Sequence, residues 1–174
     1  MSAKLSQLLV NELLGLHTIS PDQLGELQLA AEREGKDLGE IVVDRGLMSD
    51  QDLASVKSTL YQLPIADSAS IEAGRTAITE ISEDVAKFYR VIPFGNDGKV
   101  LKIGLTNPED IDALEALKFI ATDKGLGLEK YIITYKDFEK IVGTYQTLGG
   151  EVGKALESLG EEPTDEDKDV VRFE

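Results

Sequence analysis

The most constraining feature of this sequence is the close spacing of helix start and stop signals between Lys36 and Pro64. The stretch reads KDLGEIVVDRGLMSDQDLASVKSTLYQLP. An apolar helical pattern ends at Gly46, Ser49 can cap a second helix, and Pro64 ends it because the residue before a proline is pushed out of the helical conformation. These signals predict two short helices joined by a tight turn. Such a stretch is typical of a regulatory module and not of a catalytic site.

The same kind of signal continues toward the N-terminus and predicts a helical subdomain over residues 1–64. Leucines at helical spacing predict a first helix over residues 3–15. Ser20 and Gln23 form the sequence pattern of a capping box, which predicts the start of a second helix. Gly35 can take the left-handed backbone conformation that ends it. We therefore expect a bundle of four short helices.

The hydrophobic period changes after Pro64 and predicts a small α/β subdomain over residues 65–147. An irregular connector is expected over residues 65–80, followed by a helix that Ser82 caps. The elements that follow are predicted in the order strand, strand, helix, strand, helix. The strands are expected at residues 91–94, 100–105 and 131–134, and the helices are expected to open at Asn107–Pro108 and at Thr134 with Asp137. The predicted fold class is α+β: a bundle of short helices followed by a small three-stranded sheet with flanking helices.

The last part of the chain, residues 148–174, differs in composition from the rest. It holds four glycines and a dense run of acidic residues, so it cannot bury enough apolar surface to offset the entropy lost on ordering. We expect an acidic flexible linker or tail. Val170, Val171 and Phe173 restart an apolar pattern close to Glu174. Whether the natural chain continues past Glu174 is left open by this pattern.

Composition excludes several classes of function. The chain has 33 acidic and 18 basic residues and a formal net charge of -15, so it repels phosphate backbones and nucleic acid is not an expected partner. It has no cysteine and a single histidine, His17, which argues against a thiolate or two-histidine metal site. No apolar run approaches the roughly 18 residues typical of a spanning helix, so direct membrane insertion is not expected. We predict no metal site.

A nucleotide-hydrolysing site is also not expected. A phosphate-binding loop needs GxxxxGK followed by Ser or Thr, since the backbone, the lysine and the hydroxyl each contact the phosphates or their magnesium ion. The nearest approach is GGEVGKA at residues 149–155, which is one residue short and ends on Ala155 where a hydroxyl is needed. We therefore predict that this chain is not an enzyme and has no catalytic residues.

Several motifs in order resemble the N-terminal domain of the type II secretion and type IV pilus assembly ATPases. The similarity covers about residues 24–147. It is carried by LGEIVVDRGLMSDQDL, YQLP, VAKFYRVIPF, LKIGLTNPEDIDALEALKFI and IITYKDFEKIVGTY. The resemblance implies a non-catalytic domain that docks the motor, through a flexible linker, on the cytoplasmic domain of an inner-membrane platform protein or on a small regulatory protein. It also implies a cytoplasmic protein that is peripheral to the inner membrane through that partner, with ATP and magnesium belonging to the motor domain.

The resemblance raises one alternative, because some members of this family bind cyclic di-GMP through RLGxxLVxxGxI followed by LxxxLxxQ. The chain departs from this motif where polar contacts are expected: Asp37 replaces the arginine, Ala31 and Leu60 replace the glutamines, and Lys57 replaces an apolar residue. An aspartate repels a dianionic ligand that an arginine would hold. The scaffold positions that match are Leu38, Gly39, Val42, Val43, Gly46 and Leu53.

The docking interpretation is therefore preferred to cyclic di-GMP sensing, and no cofactor is expected in this chain. The sequence leaves the secretion and pilus branches, the oligomeric state and the partner surface open. The one hint of a surface is a basic group in the region where the charge is least negative. Its members are Arg75, Lys87, Arg90 and Lys99.

Overall fold

The computed structural model describes residues 7–147. Its first half holds four helices: α1 (Gln7–Gly15), α2 (Pro21–Glu34), α3 (Leu38–Asp44) and α4 (Asp50–Tyr61). The predicted first helix begins inside this range at Gln7, and residues 3–6 of that prediction lie outside the described residues.

Side-chain caps determine where these helices start. The Ser20 hydroxyl accepts a hydrogen bond from the Gln23 N–H, and the Gln23 side chain accepts one from the Ser20 N–H, so the predicted capping box is confirmed. Ser49 caps α4 in the same way, through the N–H of Asp52. Gly35 ends α2 in the left-handed conformation with a φ of 66°. The ends of α2 and the start of α4 thus have some of their free backbone groups satisfied by residues close in sequence.

The second half adds five helical segments and a three-stranded sheet among the described residues. The elements are α5 (Ser68–Ala73), a 3-10 helix (Arg75–Glu80), α6 (Glu83–Tyr89), β1 (Val91–Asn96), β2 (Val100–Leu105), α7 (Ile111–Asp123), β3 (Gly127–Ile132) and α8 (residues 135–147). Strand β2 is central, antiparallel to β1 and parallel to β3. The predicted α+β class and the order strand, strand, helix, strand, helix are confirmed.

The irregular connector predicted over residues 65–80 is wrong, because this segment is mostly helical. Asp67 caps α5 by accepting a hydrogen bond from the Ser70 N–H at 2.8 Å. Ile71 and Ile78 are buried against the sheet. Between the two short helices, a Cβ on Gly74 would lie 1.5 Å from the carbonyl oxygen of Phe94, so only glycine allows this approach to β1. Each of the two short helices buries an isoleucine in an otherwise mostly polar segment, so neither shows an apolar pattern long enough to predict a helix.

The predicted start of α7 at Asn107–Pro108 is also wrong. The Asn107 side chain accepts a hydrogen bond from the Glu109 N–H, which makes a turn and not a helix cap. The helix begins three residues after Pro108, with Asp110 as its N-cap and the Ala113 N–H as the donor. Asparagine followed by proline is as typical of a turn as of a helix start, and the turn prevailed here.

The third strand begins and ends earlier than the predicted residues 131–134. Strand β3 pairs with β2 from Gly127 to Ile132, with Val100 opposite Gly127 and Leu105 opposite Ile132. Its first residues alternate between exposed and half-buried positions, so they lack the apolar run on which the prediction of residues 131–134 rests. Thr134 then accepts a hydrogen bond from the Asp137 N–H, as expected for the cap of α8.

Three hydrophobic clusters form the core. One lies in the helical region around Leu13, Ile41 and Leu53, and the other two lie around the sheet. Tyr135 at the start of α8 belongs to the helical cluster and links the two regions. The subdomain boundary at Pro64 remains a prediction. Within residues 7–147, no helix has the length and apolar character needed to cross a membrane.

Candidate functional site

A cleft of about 770 Å³ lies where the four N-terminal helices meet the sheet. One wall is formed by the junction of α2 and α3, and the other by the end of α6 and the turn between β2 and α7. Helix α4 contributes Lys57 and Tyr61. The cleft therefore has contributions from both halves of the chain.

The floor of the cleft is built around a buried lysine. The Lys57 ammonium donates to the carbonyl oxygen of Thr106 at 2.7 Å and to the hydroxyl of Tyr135 at 2.8 Å, and it lies 4.5 Å from the centre of the Tyr135 ring. Burial lowers the pKa of Lys57, and the carboxylates of Asp37 and Asp50 oppose this shift. Lys57 thus joins α4 to the β2–α7 turn and to α8.

The Tyr135 hydroxyl continues this network to α3. It donates to Asp37 Oδ1 at 2.6 Å, and the same oxygen accepts the Glu40 N–H at 2.9 Å as the N-cap of α3. Burial, and then the Asp37 charge, raise the pKa of Tyr135 well above its usual value. We refer to Asp37, Lys57, Thr106 and Tyr135 as the floor network. It connects α3, α4, α8 and the β2–α7 turn through direct hydrogen bonds.

Two further charged contacts support the floor. The Asp50 carboxylate at the start of α4 accepts the backbone N–H groups of Tyr135 and Lys136 at 3.0 and 2.9 Å, which fixes α8 against α4. Arg90 forms an ion pair with the buried side chain of Glu40. Arg90 has a left-handed φ of 54° as the residue that ends α6, and this conformation carries its side chain toward the helical region.

The matched scaffold positions contribute to packing and turns. Leu38, Val42 and Leu53 are buried in the helical cluster, and Val43 packs on it. Gly46 is exposed and has a left-handed φ of 68°. A Cβ on Gly39 would lie 2.6 Å from the Tyr135 hydroxyl oxygen, so glycine is required there by the floor network. Leu38 and Gly39 also border the cleft. A role for the six positions in ligand binding stays a prediction.

The substituted motif positions fall into two groups. Ala31 and Asp37 border the cleft, whereas Leu60 packs on the helical core. Asp37 Oδ1 accepts hydrogen bonds from Tyr135 and from the first turn of α3, whereas Asp37 Oδ2 is buried without a hydrogen-bond partner among the described residues. Thr106 and Tyr135 were not singled out from the sequence. Their one signal was Lys57, a lysine on the apolar face of a helix, which needs hydrogen-bond partners if it is buried.

The rim of the cleft is apolar and acidic. Phe88 is 61% exposed and Ile111 is 63% exposed, and both border the cleft. The carboxylates of Glu32, Glu109 and Asp112 also border it and form no ion pair within residues 7–147. We call these five residues the rim.

The basic groups near the cleft are already engaged. Lys36 contacts Asp44 at 2.6 Å, and this hydrogen bond raises its pKa. In the basic group noted from the sequence, Arg75 pairs with Glu72, Lys87 with Glu83 and Arg90 with Glu40. The fourth member, Lys99, forms no ion pair within residues 7–147 and does not border the cleft. The described residues contain no group of three metal-ligating side chains that could hold a metal ion.

Comparison with known proteins identifies the family. The model of the MshEN domain matches residues 61–151, just over half of the chain. The type IV pilus assembly ATPase PilB of Myxococcus xanthus is 25% identical over 170 residues, which cover 93% of this chain and 29% of that protein. PilB of Thermus thermophilus is 30% identical over 118 residues, which cover 65% of this chain and 13% of that protein. The chain thus spans less than a third of the length of these relatives.

Two solved structures share the fold. The structure of MshE with cdg has a TM-score of 0.59 and 26% identity, and the match covers 79% of this chain and 97% of that one. The N-terminal domain of XpsE has a TM-score of 0.58 and 20% identity, with 82% and 97% coverage. The PilB matches fall on the N-terminal regions of those ATPases. The chain belongs to the MshEN domain family and is homologous to the N-terminal regions of PilB-type pilus assembly ATPases.

Proposed function

We propose that this chain is a non-catalytic interaction domain that docks a pilus or secretion ATPase on the cytoplasmic domain of an inner-membrane platform protein, or on a small regulatory protein. One observation carries the proposal: hydrogen bonds through Tyr135 link the two charged side chains of the cleft floor, while Phe88 and Ile111 stand exposed at its rim. Exposed large apolar side chains at the edge of a cleft are typical of protein-binding surfaces.

The family relationship supports this proposal. The curated relatives are pilus assembly ATPases, and the chain matches regions of them outside the motor domain. The sequence contains no complete GxxxxGK[ST] motif, so in this proposal ATP and magnesium belong to the motor and the chain itself needs no cofactor. The protein would be cytoplasmic and held at the inner membrane through its partner.

The proposal is tested by binding the purified chain to the cytoplasmic domain of the platform protein encoded with its ATPase. We expect saturable binding with a Kd in the range of about 1 to 50 μM, measured by biolayer interferometry. As a control, Phe119→Ser should bind the platform domain as the natural chain does, because Phe119 is exposed on α7 but does not border the cleft. No saturable binding to the platform domain or to a co-encoded regulatory protein at about 200 μM would refute the proposal.

A second candidate function is sensing of cyclic di-GMP. It is favoured by the similarity to the structure of MshE with cdg and by the position of Leu38 and Gly39 at the cleft. The carboxylate of Asp37 at the cleft opposes it, since it adds negative charge where a dianionic ligand would lie. Isothermal titration with cyclic di-GMP, with GMP as control, distinguishes the candidates. Micromolar binding with a defined stoichiometry would favour sensing, and no heat of binding would favour docking.

A further inference from the structure

We propose that the cleft receives a cationic amphipathic segment of the docking partner, whose apolar side chains contact Phe88 and Ile111 and whose basic side chains contact Glu32, Glu109 and Asp112. This inference rests on the proposed docking function and names the chemistry of the partner. It follows from three properties of the cleft: its apolar edge, its acidic charge and the hydrogen-bonded lysine of its floor.

The apolar edge is formed by two side chains that the fold leaves uncovered. Phe88 makes an edge contact with Tyr89, at 4.8 Å between ring centres, and remains mostly exposed. Ile111 is the first residue of α7, and the same helix buries Leu117 completely. The fold therefore removes the apolar side chain of Leu117 from water but leaves that of Ile111 exposed. A partner that covers both rim residues would remove their apolar surface from water, which is the usual source of affinity at such sites.

The charge of the rim selects the sign of the partner. Glu32, Glu109 and Asp112 have no basic partner in the part of the chain that the structure describes. The basic residues at the cleft, by contrast, are occupied: Lys36 by Asp44 and Arg90 by Glu40. A cationic segment gains attraction from the rim and from the net charge of -15, which also speeds its approach.

Among the described residues, the floor network leaves no free cation at the base of the cleft. Lys57 directs its ammonium to Thr106 and Tyr135, so this cation is not presented to a ligand. The volume of about 770 Å³ is large enough for several side chains of a peptide. The rim thus offers apolar contacts and acidic groups side by side. A partner segment with one apolar face and one basic face is complementary to both.

A synthetic peptide provides the direct test. The probe is a fluorescein-labelled Leu/Lys amphipathic peptide of about 14 residues, and its control replaces every Lys with Glu. We expect the Leu/Lys peptide to bind the full chain in fluorescence anisotropy and the Leu/Glu peptide not to bind. Raising NaCl from about 50 to 500 mM should weaken binding about tenfold, because salt screens the rim charges.

Paired variants locate the peptide. Phe88→Ser with Ile111→Ser should reduce its affinity about tenfold or more, whereas Phe119→Ser should change it less than about twofold. Neutralising the rim with Glu109→Gln and Asp112→Asn should lower both the affinity and its salt dependence. The matched control, Glu115→Gln with Asp123→Asn, removes two exposed charges of α7 that do not border the cleft.

The outcomes separate this inference from the docking function. Equal binding of both peptides, binding of neither, or equal losses in the rim and control variants would overturn the inference. If the platform domain binds but the rim variants leave its affinity unchanged, the inference is wrong and the docking function stands. If the platform domain does not bind while the Leu/Lys peptide binds at the rim, the docking function fails and the cleft chemistry stands.

Discussion

At the floor of the cleft, Lys57 has the carbonyl of Thr106 and the hydroxyl of Tyr135 as partners, and Tyr135 in turn has Asp37. At the rim of the same cleft, Phe88 and Ile111 are mostly exposed. The two regions border the same cleft but differ in how far contacts within the fold engage their side chains.

This difference separates stability from binding. A buried charge that loses a partner destabilises the fold, because it cannot regain its hydration. An exposed apolar side chain contributes little to the free energy of unfolding. Its replacement should therefore lower the affinity for a partner that covers it and leave stability nearly unchanged. Substitutions at the floor and the rim should therefore affect different measurements.

The largest effect is expected for Lys57→Ala. It leaves the Thr106 carbonyl and the Tyr135 hydroxyl without their donor and opens a cavity, so the free energy of unfolding should fall by about 3 kcal/mol. Urea denaturation followed by circular dichroism measures the change. Lys118→Ala, at an exposed position of α7, is the control and should change it by less than about 0.5 kcal/mol. Equal effects of the two variants would show that the floor does not stabilise the fold.

A smaller loss is expected for Tyr135→Phe. The ring remains in place, but Asp37 loses its donor and Lys57 loses an acceptor, so we expect about 2 kcal/mol of destabilisation by urea denaturation. Tyr131→Phe is the matched control because the Tyr131 hydroxyl makes no hydrogen bond with the described residues. A loss of similar size in Tyr131→Phe would mean that the hydroxyl network is not the cause.

Tyr145 extends the comparison to a half-buried tyrosine outside the cleft. It donates to the carbonyls of Ile78 and Ile81, and burial raises its pKa from 10.0 to about 12. Between pH 10 and about 12 the unfolded tyrosine loses its proton while the folded one keeps it, so stability must fall as the pH rises.

Because Tyr145 is partly exposed, we expect this fall to amount to about 1 kcal/mol. It is measured as the difference between the unfolding free energies of the natural chain and of Tyr145→Phe at pH 9 and pH 11.5. The difference should shrink as the pH rises. A difference that is constant or grows with pH would contradict the assigned shift.

The smallest stability effect is expected at the rim. Phe88→Ser should change the free energy of unfolding by less than about 0.5 kcal/mol, whereas Phe94→Ser, at a buried position of β1, should cost about 3 kcal/mol or more. Thermal and urea unfolding measure both. A large loss in Phe88→Ser would indicate that the rim is part of the core and would remove the contrast with the floor.

Local signals explain which elements could be predicted from the sequence. Ser20 with Gln23, Ser49 with Asp52, and Thr134 with Asp137 each form a cap within four residues, so the sequence holds all the information that the cap needs. Where one pattern fits two local structures, as at Asn107–Pro108, the choice depended on surrounding contacts. The start of β3 was missed because its residues become a strand through pairing with β2.

The candidate site was harder to predict because its partners are distant in the chain. The sequence by itself determined the helix caps, the order of the strands, the acidic charge and the departures from the cyclic di-GMP motif. Only the tertiary structure brought Lys57 to Tyr135, 78 residues away, and Asp50 to the backbone of Tyr135, 85 residues away. It also left Phe88 and Ile111 uncovered while burying Leu117. Local hydrogen bonds are encoded within one turn of helix, whereas burial depends on which surfaces the complete fold brings together.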